Sequence, residues 1–311
     1  MKFLQNKQFF QLCSRCLQQR SLCSAPASSA VDLSYYAYEK QTEDSSKAQQ
    51  FPLILMHGLM GSKQNWQSIA KVLGRKGRKV LAADARNHGG SPHVENMNYQ
   101  LFTEDLLRLM DTQFIEQAVL LGHSMGGKTA MVTALTHAER VAGLIVVDVS
   151  PTMSPSLQTH PQYLEAMLRI PLLTMADTHD TENTPLSTVR RHVYQELAKT
   201  IQDDAMRHFL ASNLVIRGNK FSWKCNLDSI INNFPDLASF PSFDQSQYYG
   251  GTLFIGGSNS DYIIEENIPQ IKKFFPLAEI RHIEGAGHWV HSDKPAQFIT
   301  AVNKFLNEAG V

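Results

Sequence analysis

Side chains able to carry acyl-transfer chemistry stand at a few points in the chain: a serine at 124, a histidine at 288, a histidine-glycine pair at 57–58, and aspartates at 148, 228 and 261. The serine lies in Gly122-His123-Ser124-Met125-Gly126, directly after the apolar run Ala118-Val119-Leu120-Leu121. This reads as a buried strand turning sharply into a helix with the serine at the corner, the G-x-S-x-G nucleophile elbow. A serine hydroxyl is a weak nucleophile, so it must be presented at the end of a sheet beside a base. The sharp corner crowds the positions two before and two after it, and glycine, lacking Cβ, relieves the crowding. The pattern is short, so the reading requires partners elsewhere.

The base is expected at His288, in Gly285-Ala286-Gly287-His288-Trp289. That glycine-rich stretch follows the last expected strand and precedes the last expected helix. The order nucleophile, acid, histidine is the one this arrangement needs. His291 lies three positions on but has no carboxylate at ligand spacing, so no metal is expected, and nothing in the set calls for a cofactor. His123 adjoins the serine and is expected to point away from it.

Developing negative charge on the acyl oxygen needs donors. His57-Gly58-Leu59-Met60-Gly61 follows the first buried strand, where an oxyanion loop belongs. The expected donors are the backbone N–H groups of Leu59 and of Met125, the residue after the serine. Met125 also opens a helix, whose positive end favours an anion.

Three aspartates compete for the acid. Asp148 closes the strand after the elbow and ranks first, because a strand end holds a carboxylate rigidly against an imidazole. Asp228, in a segment that must reach in from elsewhere, and Asp261, late in a Ser- and Asn-rich loop, rank level behind it.

The same stretch admits a second reading. Gly122 to Thr129 spells G-x-x-x-x-G-K-T, a formal phosphate-binding loop, and Asp148 could pass for its Mg²⁺-holding acid. That reading leaves His57-Gly58, the run Asp84-Ala85-Arg86-Asn87-His88-Gly89 and Gly287-His288-Trp289 without a role. The acyl-transfer reading uses them all, and Lys128 and Thr129 become part of a helix's first turns.

The elements that must position these groups alternate. Edge strands within 31–40 are followed by strands at 51–56, 79–83, 118–121 and 144–148, with helices at 66–73, 99–111 and 125–136 between them. After Pro151 the alternation stops, and it resumes with a strand at 252–255, a helix at 265–275, a strand at 279–283 and a helix at 295–306. This predicts an α/β fold, a mostly parallel sheet flanked by helices. The core is 32–151 with 250–311; residues 152–249 form a helical cap over the sheet's carboxyl edge, where such sheets bind ligands. Met153, Met167, Met175 and Met206 in the cap could adapt to flexible apolar substrates, or simply pack it.

With 311 residues, 43% of them hydrophobic, the chain can bury a large core. Lys2, Lys7, Arg15 and Arg20 leave residues 1–31 basic and free of acids, against zero formal charge overall. The body is therefore mildly acidic, and nucleic acid is not an expected partner. No apolar run is long enough to span a bilayer. Cys13, Cys16 and Cys23 fall in the first segment and only Cys225 in the body, which excludes a disulfide framework. The first segment mixes phenylalanines and leucines with its cations, as an amphipathic mitochondrial transit peptide does, so 1–31 is expected to be one.

His57-Gly58, Asp84 to Gly89, Gly122 to Gly127 and Gly287-His288-Trp289 together resemble the α/β-hydrolase superfamily. The Asn87-His88 pair and the Gly127-Lys128-Thr129 run resemble the mitochondrial α/β-hydrolase domain-containing protein 11 group within it. The resemblance runs from about Leu33 to the C-terminus. It implies a serine hydrolase of lipid esters such as diacylglycerol, acting through an acyl-Ser124 in the mitochondrial matrix, with a link to the 2-oxoglutarate dehydrogenase complex. The alternatives are a thioesterase or other acyl transfer at the same site, a binding protein protecting that complex, and, more distantly, a nucleotide hydrolase. Dehalogenase and epoxide-hydrolase chemistry need a carboxylate at the corner, which Ser124 replaces.

Overall fold

The strands that carry the site read as unbroken apolar runs because both of their faces are covered. In the computed structural model, which describes residues 30–39, 50–153, 159–172, 185–218 and 220–311, Val31–Val311 form one unit. Its main sheet contains β1 (Tyr35–Tyr38), β2 (Leu53–Met56), β3 (Val80–Ala83), β4 (Ala118–His123), β5 (Val141–Val147), β8 (Thr252–Gly257) and β9 (Glu279–Ile283). The spatial order is β1-β3-β2-β4-β5-β8-β9. Every pairing is parallel except β1 with β3. The expectation of several edge strands within 31–40 is corrected to this one antiparallel strand. The expected transit peptide lies outside the described residues.

Alternate residues of each strand feed opposite layers, as the pleat requires. Leu53 and Leu55 of β2 join Val119 and Leu121 of β4 against α1 (Gln67–Leu73) and α11 (Pro295–Glu308). Ile54, Met56 and Leu120 face α2 (Tyr99–Thr112), α3 (Met125–Thr136) and α9 (Ile268–Phe274) on the other side. Each fully buried side chain of this kind contributes roughly 1.5–3 kcal/mol. The amphipathic α2 starts where the Asn98 side chain accepts from the Leu101 N–H at 2.9 Å.

From β2 the chain crosses to β3 on one side and returns past β2 to β4 on the other. The carboxyl ends of β2 and β4 therefore part into a crevice, the place where open α/β sheets hold their ligands.

Between β5 and β8 stand α4 (His160–Leu168), α5 (Leu186–Ala198), α6 (Asp204–Ala211), the hairpin β6 (Leu214–Arg217) and β7 (Lys220–Trp223), then α7 (Leu227–Asn232) and α8 (Phe234–Ala238). The hairpin corrects the expectation of a purely helical and loop-rich segment. Leu164, Val193, Leu197, Leu210 and Ile230, with Met167 and Met206, join one buried cluster that also takes in Met60, Tyr99, Phe102 and Met125 of the core. Met153 is exposed; Met175 lies outside the described residues. Among the described residues no helix is long and apolar enough to cross a membrane.

Candidate active site

One residue separates β4 from α3, and it is Ser124, at φ 52° and ψ −115°. A non-glycine residue at such a positive φ costs of order 1–3 kcal/mol and persists only where its surroundings enforce it. Here the Ser124 N–H donates to Val147 O at 3.0 Å, and the Lys128 N–H to Ser124 O at 2.9 Å. The flanking glycines are obligatory: a Cβ on Gly122 would lie 2.1 Å from Gly126 O, and one on Gly126 2.5 Å from Met56 O.

His288 sits between β9 and the short helix α10 (Val290–Asp293). Its Nδ1 donates to Asp148 Oδ2 at 2.7 Å. Asp148 is fully buried at the end of β5, with φ 47°. Two further donors satisfy its carboxylate: Gly257 N–H to Oδ1 at 3.0 Å and Ser260 Oγ–H to Oδ2 at 2.5 Å. Three donors on one carboxylate offset much of the cost of burying the charge. Tyr262 stacks on the other side of the imidazole, with ring centroids 4.0 Å apart and planes 20° apart. The ring of His288 is thus fixed by one hydrogen bond and one aromatic face, with Nδ1–H committed to the carboxylate.

The other two aspartates are placed differently. Asp228 is exposed in the first turn of α7 and does not line the cavity that contains Ser124. Its segment instead joins the Asp84 to Gly89 loop, the Asn226 N–H donating to Asn87 O at 2.8 Å. Asp261 does line the cavity, but the carboxylate bonded to the His288 imidazole is that of Asp148.

Ser124 and His288 line a single cavity of about 420 Å³ beneath the cap. Tyr163, Met206 and Phe209 give it an apolar wall, and His57 and Leu59 stand at its base. His123 lines it as well. Its Nε2–H donates to His288 O at 2.9 Å and its ring lies 4.6 Å from that of His288. His291, beside it, stacks on Trp66 at 4.3 Å.

The oxyanion loop is braced at several backbone groups. The Met60 N–H donates to His88 Nε2 at 3.1 Å, and Gly61 N–H to Gly58 O at 2.9 Å. Met60 O accepts from Asn213 Nδ2 in the cap at 2.8 Å. His57 Nε2 accepts from Ala85 N–H at 3.0 Å while its Nδ1 donates to Gly58 O. Among the described residues the N–H groups of Leu59 and Met125 take no protein acceptor; that of Gly126 donates to His57 O. These are the two N–H groups expected to act as donors.

Four buried histidines around the site are held neutral. Burial pushes His88 and His291 down to about 3. It also lowers His57, and takes His123 well below the ordinary histidine range. Their hydrogen bonds agree, since the nitrogen of His57 and of His88 that faces an N–H must be an unprotonated acceptor.

The phosphate-loop reading fails on Lys128. Its Nζ is turned from the corner to Ala238 O at 2.8 Å and Ser239 O at 2.9 Å, and Thr129 Oγ1 donates to Met125 O. Burial lowers the Lys128 amine to about 7. It is a strut between α3 and the end of α8. Sequence reasoning missed this strut, and also Ser260, Tyr262 and Asn213. The run Ser258-Asn259-Ser260-Asp261 signalled a polar loop after β8, but not which hydroxyl turns inward.

Residues 52–295 match the α/β-hydrolase fold family. The sn-1-specific diacylglycerol lipase ABHD11 of Xenopus laevis is 43% identical over 284 residues, covering 91% of this chain and 86% of that protein. Esterase YbfF of Escherichia coli is 30% identical over 260 residues, covering 83% and 93%. Among solved structures, a marine microorganism esterase superposes with a TM-score of 0.78 at 34% identity, covering 89% of this chain and all of that one.

Proposed function

The chain belongs to the α/β-hydrolase fold family and is a serine ester hydrolase, and from that premise we propose that it cleaves lipid esters, diacylglycerol among them, through an acyl-Ser124 intermediate. Ser124 Oγ attacks the ester carbonyl as His288 Nε2 takes its proton. The oxyanion rests on the Leu59 and Met125 N–H groups, aided by the positive end of α3. Breakdown releases the alcohol with the proton from His288. Water, activated by the same nitrogen, then frees the acid. Asp148 holds the imidazole in its working tautomer and stabilises the imidazolium.

The observation that carries this reading is the 2.7 Å bond from His288 Nδ1 to a buried, triply donated Asp148, set beside a strained serine in one cavity. The lipid class draws on the apolar wall of that cavity and on the diacylglycerol lipase that the chain resembles. We read residues 32–151 and 250–311 as the catalytic core and 152–249 as the cap that selects the acyl chain.

The basic, acid-free segment 1–31 supports a cleaved import leader and a place in the mitochondrial matrix. The resemblance to the domain-containing protein 11 group extends the proposal to association with the 2-oxoglutarate dehydrogenase complex. N-terminal sequencing of the mature protein from mitochondria tests the leader; an intact Met1 refutes it.

The substrate is tested with a panel of diacylglycerols, monoacylglycerols, acyl thioesters and short esters, comparing kcat/KM. Diacylglycerol or another long-chain acylglycerol should lead the panel. Preference for thioesters, or activity confined to short soluble esters, overturns the lipid-ester reading.

A further inference from the structure

A second cavity, of about 290 Å³, lies on the far side of the segment that carries the oxyanion loop. Gly61, Asn65 and Trp66 face the catalytic cavity, while Ser62, Lys63 and Gln64 between them face this one. Its opposite wall is the β6–β7 hairpin with Arg217, and Lys224 just beyond it. The proposed function gives this cavity no role.

The charges in it do not balance. Lys63, Arg217 and Lys224 line it against a single carboxylate, Asp84. That carboxylate is already consumed, accepting from Lys63 Nζ and Lys63 N–H at 2.6 Å each and from Gly90 N–H at 2.8 Å. Arg217 and Lys224 form no ion pair among the described residues. Arg217 Nη2 donates to Lys224 O at 3.2 Å and lies 3.3 Å from His93 Nε2, and Lys224 Nζ donates to Gln64 Oε1 at 3.1 Å. Each side chain therefore keeps N–H donors unspent. Lys224 is lowered first by burial and next by the charge of Arg190 on α5, with Lys63 acting in the same direction and Asp84 and Cys225 against it. Lys224 is thus a partly desolvated cation with Arg190 and Lys63 near it, and the exposed Arg217 stands on the same cavity, so a bound anion would offset a cost that the Asp84 carboxylate, already taken up by Lys63 and Gly90, does not fully offset.

We propose that this cavity is a binding site for a phosphate group, free or carried on a small alcohol, with Arg217 and Lys224 as its charged ligands and Ser62 at its floor. The excess of two positive charges matches a phosphate dianion, whereas a monocarboxylate would neutralise only one. Arg217 supplies planar paired donors and Lys224 a point charge, the combination that phosphate sites use. The volume leaves space for a phosphate and an attached glycerol. The site is independent of the acyl-transfer chemistry, and its test is read by binding alone.

The full chain is titrated by calorimetry with inorganic phosphate, glycerol phosphate and succinate. It is also floated with phosphatidylcholine vesicles, with and without phosphatidic acid. Phosphate or glycerol phosphate should bind, and Arg217→Gln with Lys224→Gln should weaken binding by about tenfold or more. The control Arg169→Gln with Lys304→Gln, at exposed positions elsewhere, should not. Binding of the soluble phosphates with no flotation assigns a free ligand; flotation with phosphatidic acid that is lost in the double variant assigns a lipid headgroup. No phosphate binding, equal binding by the double variant, or succinate binding as tightly as phosphate overturns the proposal. Melting temperatures of the variants close to that of the parent ensure that a loss of binding reflects the site and not the fold.

Discussion

Asp148 Oδ2 receives two hydrogens, one from His288 and one from Ser260. In Asp148→Asn the amide can keep one acceptor for Gly257 N–H but loses the acceptor that fixes the His288 tautomer. Turnover should fall by about 10⁴, while Asp228→Asn and Asp261→Asn stay within about threefold, by comparison with the loss on neutralising a triad acid. Steady-state kinetics on one preferred ester decides it. Comparable losses in Asp148→Asn and either other variant would reject the assignment. The placement of Ser124, His288 and Asp148 was legible because each sits at a fixed place relative to a strand end. Ser260 and Tyr262 were not. Their role depends on how a loop of short polar residues folds back onto Asp148, and no local pattern encodes that.

Among the elements, the strands and the helices of the core were legible because burial on two faces writes long apolar runs. The hairpin β6–β7 was not. Its strands are four residues long and partly exposed, so their pattern is that of an ordinary loop. The bracing of the oxyanion loop was hidden for a different reason. Asn213 donates to Met60 O across a separation of 153 residues. That bond, with His88 on the Met60 N–H, fixes the two peptide groups that flank the Met60 Cα, the first of them adjoining the Leu59 donor. Asn213→Ala leaves a buried carbonyl unpaired, at about 1–3 kcal/mol. The expected result is a roughly tenfold lower kcat with KM little changed, since the oxyanion contact is made in the transition state. Asn213→Asp should not rescue it, because a carboxylate offers that carbonyl no donor. An unchanged kcat, or a change in KM alone, would separate the cap from the oxyanion loop.

For the whole molecule, the four neutral histidines contribute to the response to mild acid. Each has a folded-state affinity for protons below that of the unfolded chain, whose histidines titrate near 6.5. The unfolded state therefore binds more protons as the pH falls below about 6.5, and stability must decline with it. This contribution is complete above the unfolded value and is lost progressively toward about 3, where His88 and His291 would charge in place. His88 and His291 each account for up to about 1.4 kcal/mol per pH unit within that window, and His57 and His123 act in the same direction. Urea unfolding at pH 7.5 and at pH 5.5 should show a marked loss of stability at the lower value. A flat profile would mean that these rings accept protons in the fold. Arg78 ties the start of β2 to the C-terminal residue, donating to Phe51 O and to Val311 O at 2.6 Å each.

The central claim is that one strained serine becomes acylated with the help of His288. The direct measurement is fluorophosphonate labelling of the purified chain followed by peptide mass mapping. A single adduct should fall on the peptide containing Ser124, and Ser124→Ala should lose both the adduct and about 10⁶ of turnover while melting as a folded protein. An adduct on another residue, or ester turnover retained by Ser124→Ala, would contradict the account.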